Sequence, residues 1–320
     1  MTPAAGMTPA ETRERVRGRG LLPPRGALVV MLSGGRDSVC LLDLSVALCV
    51  AGAVRALHVN YGLRADADAD ERHCRALCER LGVELTTVRA DRHEQAAGNV
   101  QAWARELRYR EADRLADALD ATIATGHTAS DQVETILYRL AASPGRRALL
   151  GMAPREGRLV RPLLELTREQ TADYCRARGL QWREDASNED ERYARARVRN
   201  RVVPALRAVH PAAEANVLRT AALLRAEAEL LDELVAVELQ GEQEIALTRL
   251  AALPGALQRL IVVRLAENAA GMFVPQAGGR VAEIMALAER GGRGELHVGG
   301  LVAAVVERGR LRMVKLPPRR

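Results

Sequence analysis

The chain has 320 residues, 48% hydrophobic and 28% charged, with a formal net charge of +6. It has room for two domains with proper cores, and no apolar run reaches the ~20 residues that a helix needs to cross a bilayer, so a helical membrane span is not expected. Lys315 is the only lysine, so the positive charge is nearly all arginine, whose planar fork suits phosphate and points to an anionic partner.

Residues 1–25 carry little pattern and read as a flexible extension. Met-Thr-Pro-Ala recurs at Met7, which is an alternative start, and Glu11 to Arg19 could form a short helix. The stretch carries acids and lacks an apolar centre, unlike a signal peptide.

Ala27 to Leu32 is a short apolar run that reads as a buried strand, and Val39 to Leu44 reads as a largely buried helix. Between them lies Ser33-Gly34-Gly35-Arg36-Asp37-Ser38. A strand, a small-residue turn and a helix make an anion site, because glycines let the backbone approach a phosphate and first-turn amides point at it. Ser33 and Ser38 add hydroxyls. Asp37 beside a phosphate calls for a cation between them, so it reads as a magnesium ligand or proton acceptor. Arg36 stands where a Walker loop continues toward Gly-Lys-Ser/Thr, and the Gly-x-Gly-x-x-Gly spacing is absent, which removes both of those motifs.

Strands are predicted over 27–32, 53–59, 83–89 and 121–125, and helices over about 37–50, 66–81, 98–119 and 130–142. This alternation predicts an α/β fold, a parallel sheet with helices on both faces and ligands at the carboxyl ends of the strands. Asn60 and Arg64 fall at the end of the second strand. On the third helix Val100, Trp103 and Leu107 make an apolar stripe, while Arg105, Arg108 and Tyr109 share another face. That face is either solvated or aimed at a phosphate.

His127 follows the fourth strand, and Asp131 opens the next helix. A histidine and a carboxylate there can place a metal or move a proton, whereas dipole complementarity alone also accounts for Asp131. On that helix Val133, Ile136, Leu137 and Leu140 are expected to face the sheet, with Asp131, Glu134, Thr135 and Tyr138 opposite. Thr167 to Gln170 is a capping box, and its helix is expected to stop at Gly179. Beyond Trp182 to Asp190 come Arg192, Arg195, Arg197, Arg199 and Arg201, which would wrap around a helix. Some are expected to pair with the preceding acids and others to meet RNA.

Residues 212 to about 240 read as one long helix, followed by helices near 247–251, 256–269 and 277–290 and a β-hairpin around Arg308-Gly309-Arg310. The expected division is a 26–210 nucleotide-binding domain, a 211–240 linker helix and a small, mainly helical 241–320 domain that positions substrate or dimerises. Cys40, Cys49, Cys74, Cys78 and Cys175 are odd in number without secretory features, so reduced thiols in the cytoplasm are expected. Aromatics at 2% are too few for stacking single strands, so RNA would be held through arginine.

Ser-Gly-Gly-x-Asp-Ser after a strand resembles the pyrophosphate loop of the Rossmann-like ATP-pyrophosphatase families. Together with His58–Arg64, Asn99–Tyr109, Thr125–Leu137, Arg161–Leu164, Asp185–Asn188 and Tyr193–Pro204, it resembles the bacterial tRNA(Ile)-lysidine synthetases, and the C-terminal region is similar to their short form. Ser130, Tyr61 and Ala196 depart from the usual pattern of two aspartates, a histidine and an asparagine.

The resemblance implies an AMP-forming ligase. ATP adenylates the C2 oxygen of the wobble cytidine of an isoleucine tRNA with a CAU anticodon, releasing pyrophosphate, and the ε-amine of free L-lysine then attacks C2 and AMP leaves with that oxygen. It implies ATP at Ser33, Gly34, Gly35, Arg36, Asp37, Ser38 and Arg105, and tRNA at Arg108, Arg195, Arg197, Arg199 and Arg201. Asp37, Asp131 and His127 would be catalytic, with magnesium on Asp37 and Asp131. A tRNA thiolase and a non-catalytic RNA-binding protein are the rival readings.

Overall fold

The computed structural model describes residues 7–63, 66–91, 100–142, 146–184, 191–289 and 293–317. Arg64, Asn99 and the 185–190 stretch lie outside them. Two compact units divide the chain, Met1–Ala222 and Leu223–Arg320.

The first unit opens with α1 (Pro9–Gly18), started by a capping box between Thr8 and Glu11. Val16 of α1 is buried in the main core, so this part of the expected flexible extension is a packed helix. Then follow β1 (Leu28–Met31), α2 (Arg36–Leu48), β2 (Val54–Asn60), α3 (Ala67–Leu81), β3 (Glu84–Arg89), α4 (Val100–Leu119), β4 (Thr122–Ala124) and α5 (Ala129–Ala142). The short α6 (Arg146–Leu149), β5 (Arg155–Glu156) and β6 (Leu159–Val160) lead to α7 (Arg168–Ala177). After it come α8 (Ala194–Arg197), a π-helical turn at Val198–Val202, and α9 (Val203–Val209). Pro204 has no amide to offer the preceding turn, a local reason for the wider winding there.

The sheet runs β3-β2-β1-β4-β6-β5. β1 pairs in parallel with β2 and with β4, which sets Val30 beside Ala56 and Ala124. β5 alone runs antiparallel, against β6. The chain therefore steps outward from β1 to β3, then returns to the other side of β1 as β4. That reversal opens a crevice above the carboxyl ends of β1 and β4. One sheet face packs α1, α2, α3 and α7 through Val16, Leu41, Cys74 and Tyr174, and the other packs α4 through Leu107, Ala112 and Ala116.

A buried polar pin fixes α7 on α2. Asp43 is 2% exposed and accepts from Tyr174 Oη at 2.6 Å and from Arg178 Nε at 3.0 Å and Nη2 at 3.2 Å.

α10 (Ala213–Leu239) is the predicted long helix, and the division between units falls within it. The second unit continues with β7 (Glu244–Ala246), α11 (Leu247–Ala252), α12 (Gly255–Ala270), a 3-10 turn at Pro275–Arg280 and α13 (Val281–Glu289). It ends in β8 (Gly294–Gly299), β9 (Val302–Glu307) and β10 (Arg310–Lys315). β9 and β10 are the predicted hairpin, widened by β7 and β8 into an antiparallel sheet ordered β7-β10-β9-β8. Among the described residues, no helix is long and apolar enough to cross a membrane.

Replacing Asp43 by Ala leaves a buried phenol without its acceptor and frees α7. Asp43→Ala is expected to cost about 2–4 kcal/mol in a urea melt, with Tyr174→Phe costing less.

Candidate active site

The turn after β1 is shaped by its small residues. Gly34 has φ +84°, and a Cβ there would meet Cys74 Sγ at 3.2 Å. Gly35 takes the cap position of α2 without a side-chain bond, so the first-turn amides of α2 head the crevice. The hydroxyls of Ser33 and Ser38 meet at 3.0 Å, and Ser38 Oγ donates to Gly35 O at 2.8 Å. In this state the two serines close the turn on itself. From the α3 side, Arg183 N donates to Gly34 O at 3.0 Å while the Arg183 side chain pairs with Asp70.

The loop after β4 reaches the same helix start. A Cβ on Gly126 would lie 3.0 Å from Asp37 C and O and 3.1 Å from Ser38 N. Those neighbours are backbone and cannot swing aside, so only glycine lets the two loops touch. Asp37 Oδ1 accepts from Thr171 Oγ1 at 2.5 Å and from Arg36 Nε at 3.1 Å. α7 thus touches the loop directly.

His127 is half-buried, with Nδ1 2.8 Å from Thr125 Oγ1. Burial pushes its pKa down to about 4; Asp131 works against the fall, and Arg161, Arg195 and Arg105 add to it. The ring is therefore neutral at pH 7.

Asp131 completes a capping box with Thr128: Oδ2 accepts from Thr128 N at 2.9 Å and Oγ1 at 2.8 Å, and Oδ1 accepts from Arg168 Nη2 at 2.6 Å. Burial works to raise its pKa, but Arg168, Arg195 and the Thr128 amide outweigh it and hold the carboxyl below its ordinary value.

Glu134, expected on the side of α5 away from the apolar stripe, is 2% exposed. It accepts from Arg168 Nη1 at 2.6 Å, Arg199 Nε at 2.7 Å and Arg195 Nε at 3.3 Å. The segment after Tyr193 covers α5 on the side of Val133 and Leu137, both expected to face the sheet: they pack with Val198 and Val203 in a cluster of their own. Leu140, expected in the core, is 59% exposed.

The arginine run alternates as its spacing requires. Arg195 and Arg199 turn inward to Glu134, whereas Arg197 donates to the carbonyls of Glu191 and Arg192 and Arg201 pairs with Glu191. Arg105 lies 4.7 Å over the Tyr109 ring, and Arg108 lies 5.9 Å from it. Arg108 Nε is buried without a partner, as is the hydroxyl of Tyr61. Asn60 is buried and ties β2 to α3 through Glu71 at 2.9 Å and Asp68 at 3.1 Å.

A family model described as a PP-loop domain matches residues 14–206. Curated proteins named tRNA(Ile)-lysidine synthase are similar over about two thirds of the chain. One from Pseudomonas fluorescens (strain Pf0-1) is 41% identical over 217 residues, 66% of this chain and 48% of that protein. One from Nostoc sp. (strain PCC 7120) is 38% identical over 232 residues, 70% of this chain and 67% of that protein. The chain belongs to the PP-loop tRNA(Ile)-lysidine synthase family. It spans about half the length of the first of these relatives, 48% of the Pseudomonas fluorescens protein. A solved U34-tRNA thiolase, NcsA from Methanococcus maripaludis, is 18% identical with a TM-score of 0.57, covering 68% of this chain and 79% of that one, a likeness of fold.

In this PP-loop protein the turn, His127 and Asp131 meet around the predicted crevice, because β1 and β4 are neighbours. Gly126, Glu134, Arg168 and Thr171 had no functional reading from sequence. A glycine directly after a strand end signals Gly126, and the side chains just past the Thr167 cap signal Arg168 and Thr171. No group of three or more His, Cys, Asp or Glu side chains able to hold a metal occurs among the described residues. Magnesium on a nucleotide needs only one or two carboxylates besides phosphates, and Asp37 at the head of α2 fits that use. Asp131 is held by Thr128 and Arg168, two partners within 3 Å on opposite oxygens, whereas Oδ2 of Asp37 has only the long 3.5 Å contact with Arg36 Nη2.

Gly126→Ala is expected to weaken ATP binding at least about tenfold and to cost about 1–3 kcal/mol of stability, read by calorimetry and a thermal melt. The folded pKa of His127 lies below its unfolded value. Its contribution to stability is therefore complete above about pH 6.5 and lost as pH falls toward 4. His127→Gln is expected to flatten that part of the stability curve, measured by urea titration across pH.

Proposed function

We propose that the chain is an AMP-forming ligase that joins free L-lysine to C2 of the wobble cytidine in an isoleucine tRNA with a CAU anticodon. The observation that carries this is the bare-glycine contact of the β4 loop with the first turn of α2. It places a phosphate-shaped turn, a neutral histidine and an arginine-held carboxylate around one crevice, in a chain whose relatives carry the lysidine synthase name.

In this reading the turn Ser33, Gly34, Gly35, Arg36, Asp37 and Ser38 grips the β- and γ-phosphates of ATP, with Arg105 at the crevice rim. Oriented amides stabilise the charge that gathers on the leaving pyrophosphate. Magnesium, when bound on Asp37, neutralises the phosphate oxygens. The neutral ε-amine of lysine is the form that attacks, and His127 stands beside the crevice as the candidate acceptor for the proton shed as the C–N bond forms and AMP leaves. Asp131 and Glu134 hold Arg168, Arg195 and Arg199 in place. That leaves Arg108, Arg197 and Arg201 as the cations best set to trade their present partners for tRNA phosphates. The assignment places the protein in the cytoplasm, where free lysine, ATP and tRNA occur together, and it includes a homodimer.

The cysteines speak against the thiolase alternative. Burial pushes Cys74 up to about 12 and Cys78 up to about 11, so neither is a thiolate at neutral pH.

With unmodified isoleucine tRNA, ATP and lysine, release of AMP is expected to require both tRNA and lysine. Asp37→Ala is expected to lower the rate by a factor of about 10² or more while tRNA retention on a filter stays within about twofold. Turnover that depends on a sulfur donor, or no turnover with any amine, would overturn the assignment.

A further inference from the structure

The buried face of α7 carries Thr171, Tyr174 and Cys175, at i, i+3 and i+4, and all three are fully buried. A residue there only to fill space would be apolar, because a buried hydroxyl costs stability unless it is hydrogen-bonded. Docking does not need this hydroxyl either, since Asp43 already pins α7 on α2 through Tyr174 and Arg178. Thr171 Oγ1 has two acceptors in reach, Asp37 Oδ1 at 2.5 Å and Arg168 O at 3.0 Å. The hydroxyl carries one proton. The carboxylate is charged and lies at the short distance of a charge-assisted bond, so the proton goes to Asp37. The amide of Thr171 is tied to Thr167 O at 3.0 Å, and a β-branched side chain on a helix has little rotational freedom. The donor is therefore held in place.

The other contacts of the Asp37 carboxylate come from its neighbour. Arg36 donates from Nε to Oδ1 at 3.1 Å and from Nη2 to Oδ2 at 3.5 Å. Oδ1 thus takes two donors, and Oδ2 keeps only the long contact. We propose that Thr171 is a positioning residue for the divalent cation of a bound nucleotide: it ties down Oδ1 of Asp37 and so reserves Oδ2 for the cation.

Without that donor the carboxylate is free to rotate and to meet the guanidinium fork of Arg36 with both oxygens. A cation would then have to displace a complete ion pair instead of taking an oxygen that is already spare. Thr171 acts through Asp37 and not on the nucleotide itself. The proposal rests on the reading of the turn as a site for ATP with magnesium, and it adds a residue from α7 that the reading does not use.

Calorimetric titration of the full chain with ATP, once in excess magnesium and once in EDTA, tests this. The readout is the factor by which magnesium tightens ATP binding. Thr171→Val keeps the shape and removes the proton, and is expected to cut that factor about fivefold or more. Thr171→Ala removes the proton without adding an apolar branch and is expected to do the same. Thr171→Ser keeps the donor and is expected to stay within about twofold of the unaltered chain. In an Asp37→Asn background, Thr171→Val is expected to change the factor by less than about twofold, because the two residues act as a unit. An unaltered magnesium factor in both Thr171→Val and Thr171→Ala would overturn the proposal. So would Thr171→Ser failing as badly as Thr171→Val, or a loss that persists in the Asp37→Asn background. If the unaltered chain binds no ATP, the reading of the turn falls and the proposal with it. If it binds ATP more tightly with magnesium and Thr171→Val does so equally, the proposal falls alone.

Discussion

A buried carboxylate with no cation beside it would be prohibitive, and Glu134 meets that constraint with three arginines. Arg168 comes from α7, Arg195 from α8 and Arg199 from the π-helical turn. One charge on α5 thus gathers two distant segments, α7 from 34 residues away and the contiguous α8 and π-helical turn from 61 and 65 residues away. The arginines depend on the acid in turn, since three guanidinium groups this close repel one another without it. Asp131 shares two of the three, so the wall of the crevice next to His127 is a charge network. Its members cannot shift singly.

The phosphate-shaped turn is steadied from several sides before any nucleotide arrives. Gly126 presses on the start of α2, Thr171 reaches Asp37 from α7, and Arg183 holds the Gly34 carbonyl from the α3 side. Each contact fixes backbone or carboxylate orientation, which is the form electrostatic preorganisation takes in a binding loop.

Much of the fold was legible because the first unit alternates strand and helix with clear breaks. β1 to β4 and α2 to α5 lie within a few residues of their predicted bounds. The crevice was legible too, since parallel sheets put their ligands at strand ends. What could not be read was which polar face of α5 would be covered. Glu134 and Leu140 both follow the 3.6-residue period. Glu134 is buried under Arg195 and Arg199, which reach it from some sixty residues away, while Leu140 is left exposed. The second sheet was read as a hairpin because β7 is three residues long and β8 has a polar, exposed face, neither a strong strand signal.

The run of arginines after Tyr193 holds two populations at a spacing of two residues. Inward members serve the fold and outward ones make contacts that water could replace. Charge count alone would have assigned all of them to one role.

The capping box of Thr167 and Gln170 begins α7 directly ahead of Arg168 and Thr171. Both residues that α7 lends to the crevice sit in its opening turn, where helices fray first. The cap therefore governs how accurately two carboxylates are aimed. A change at Thr167 would surface as blurred geometry at the crevice long before the domain lost cohesion.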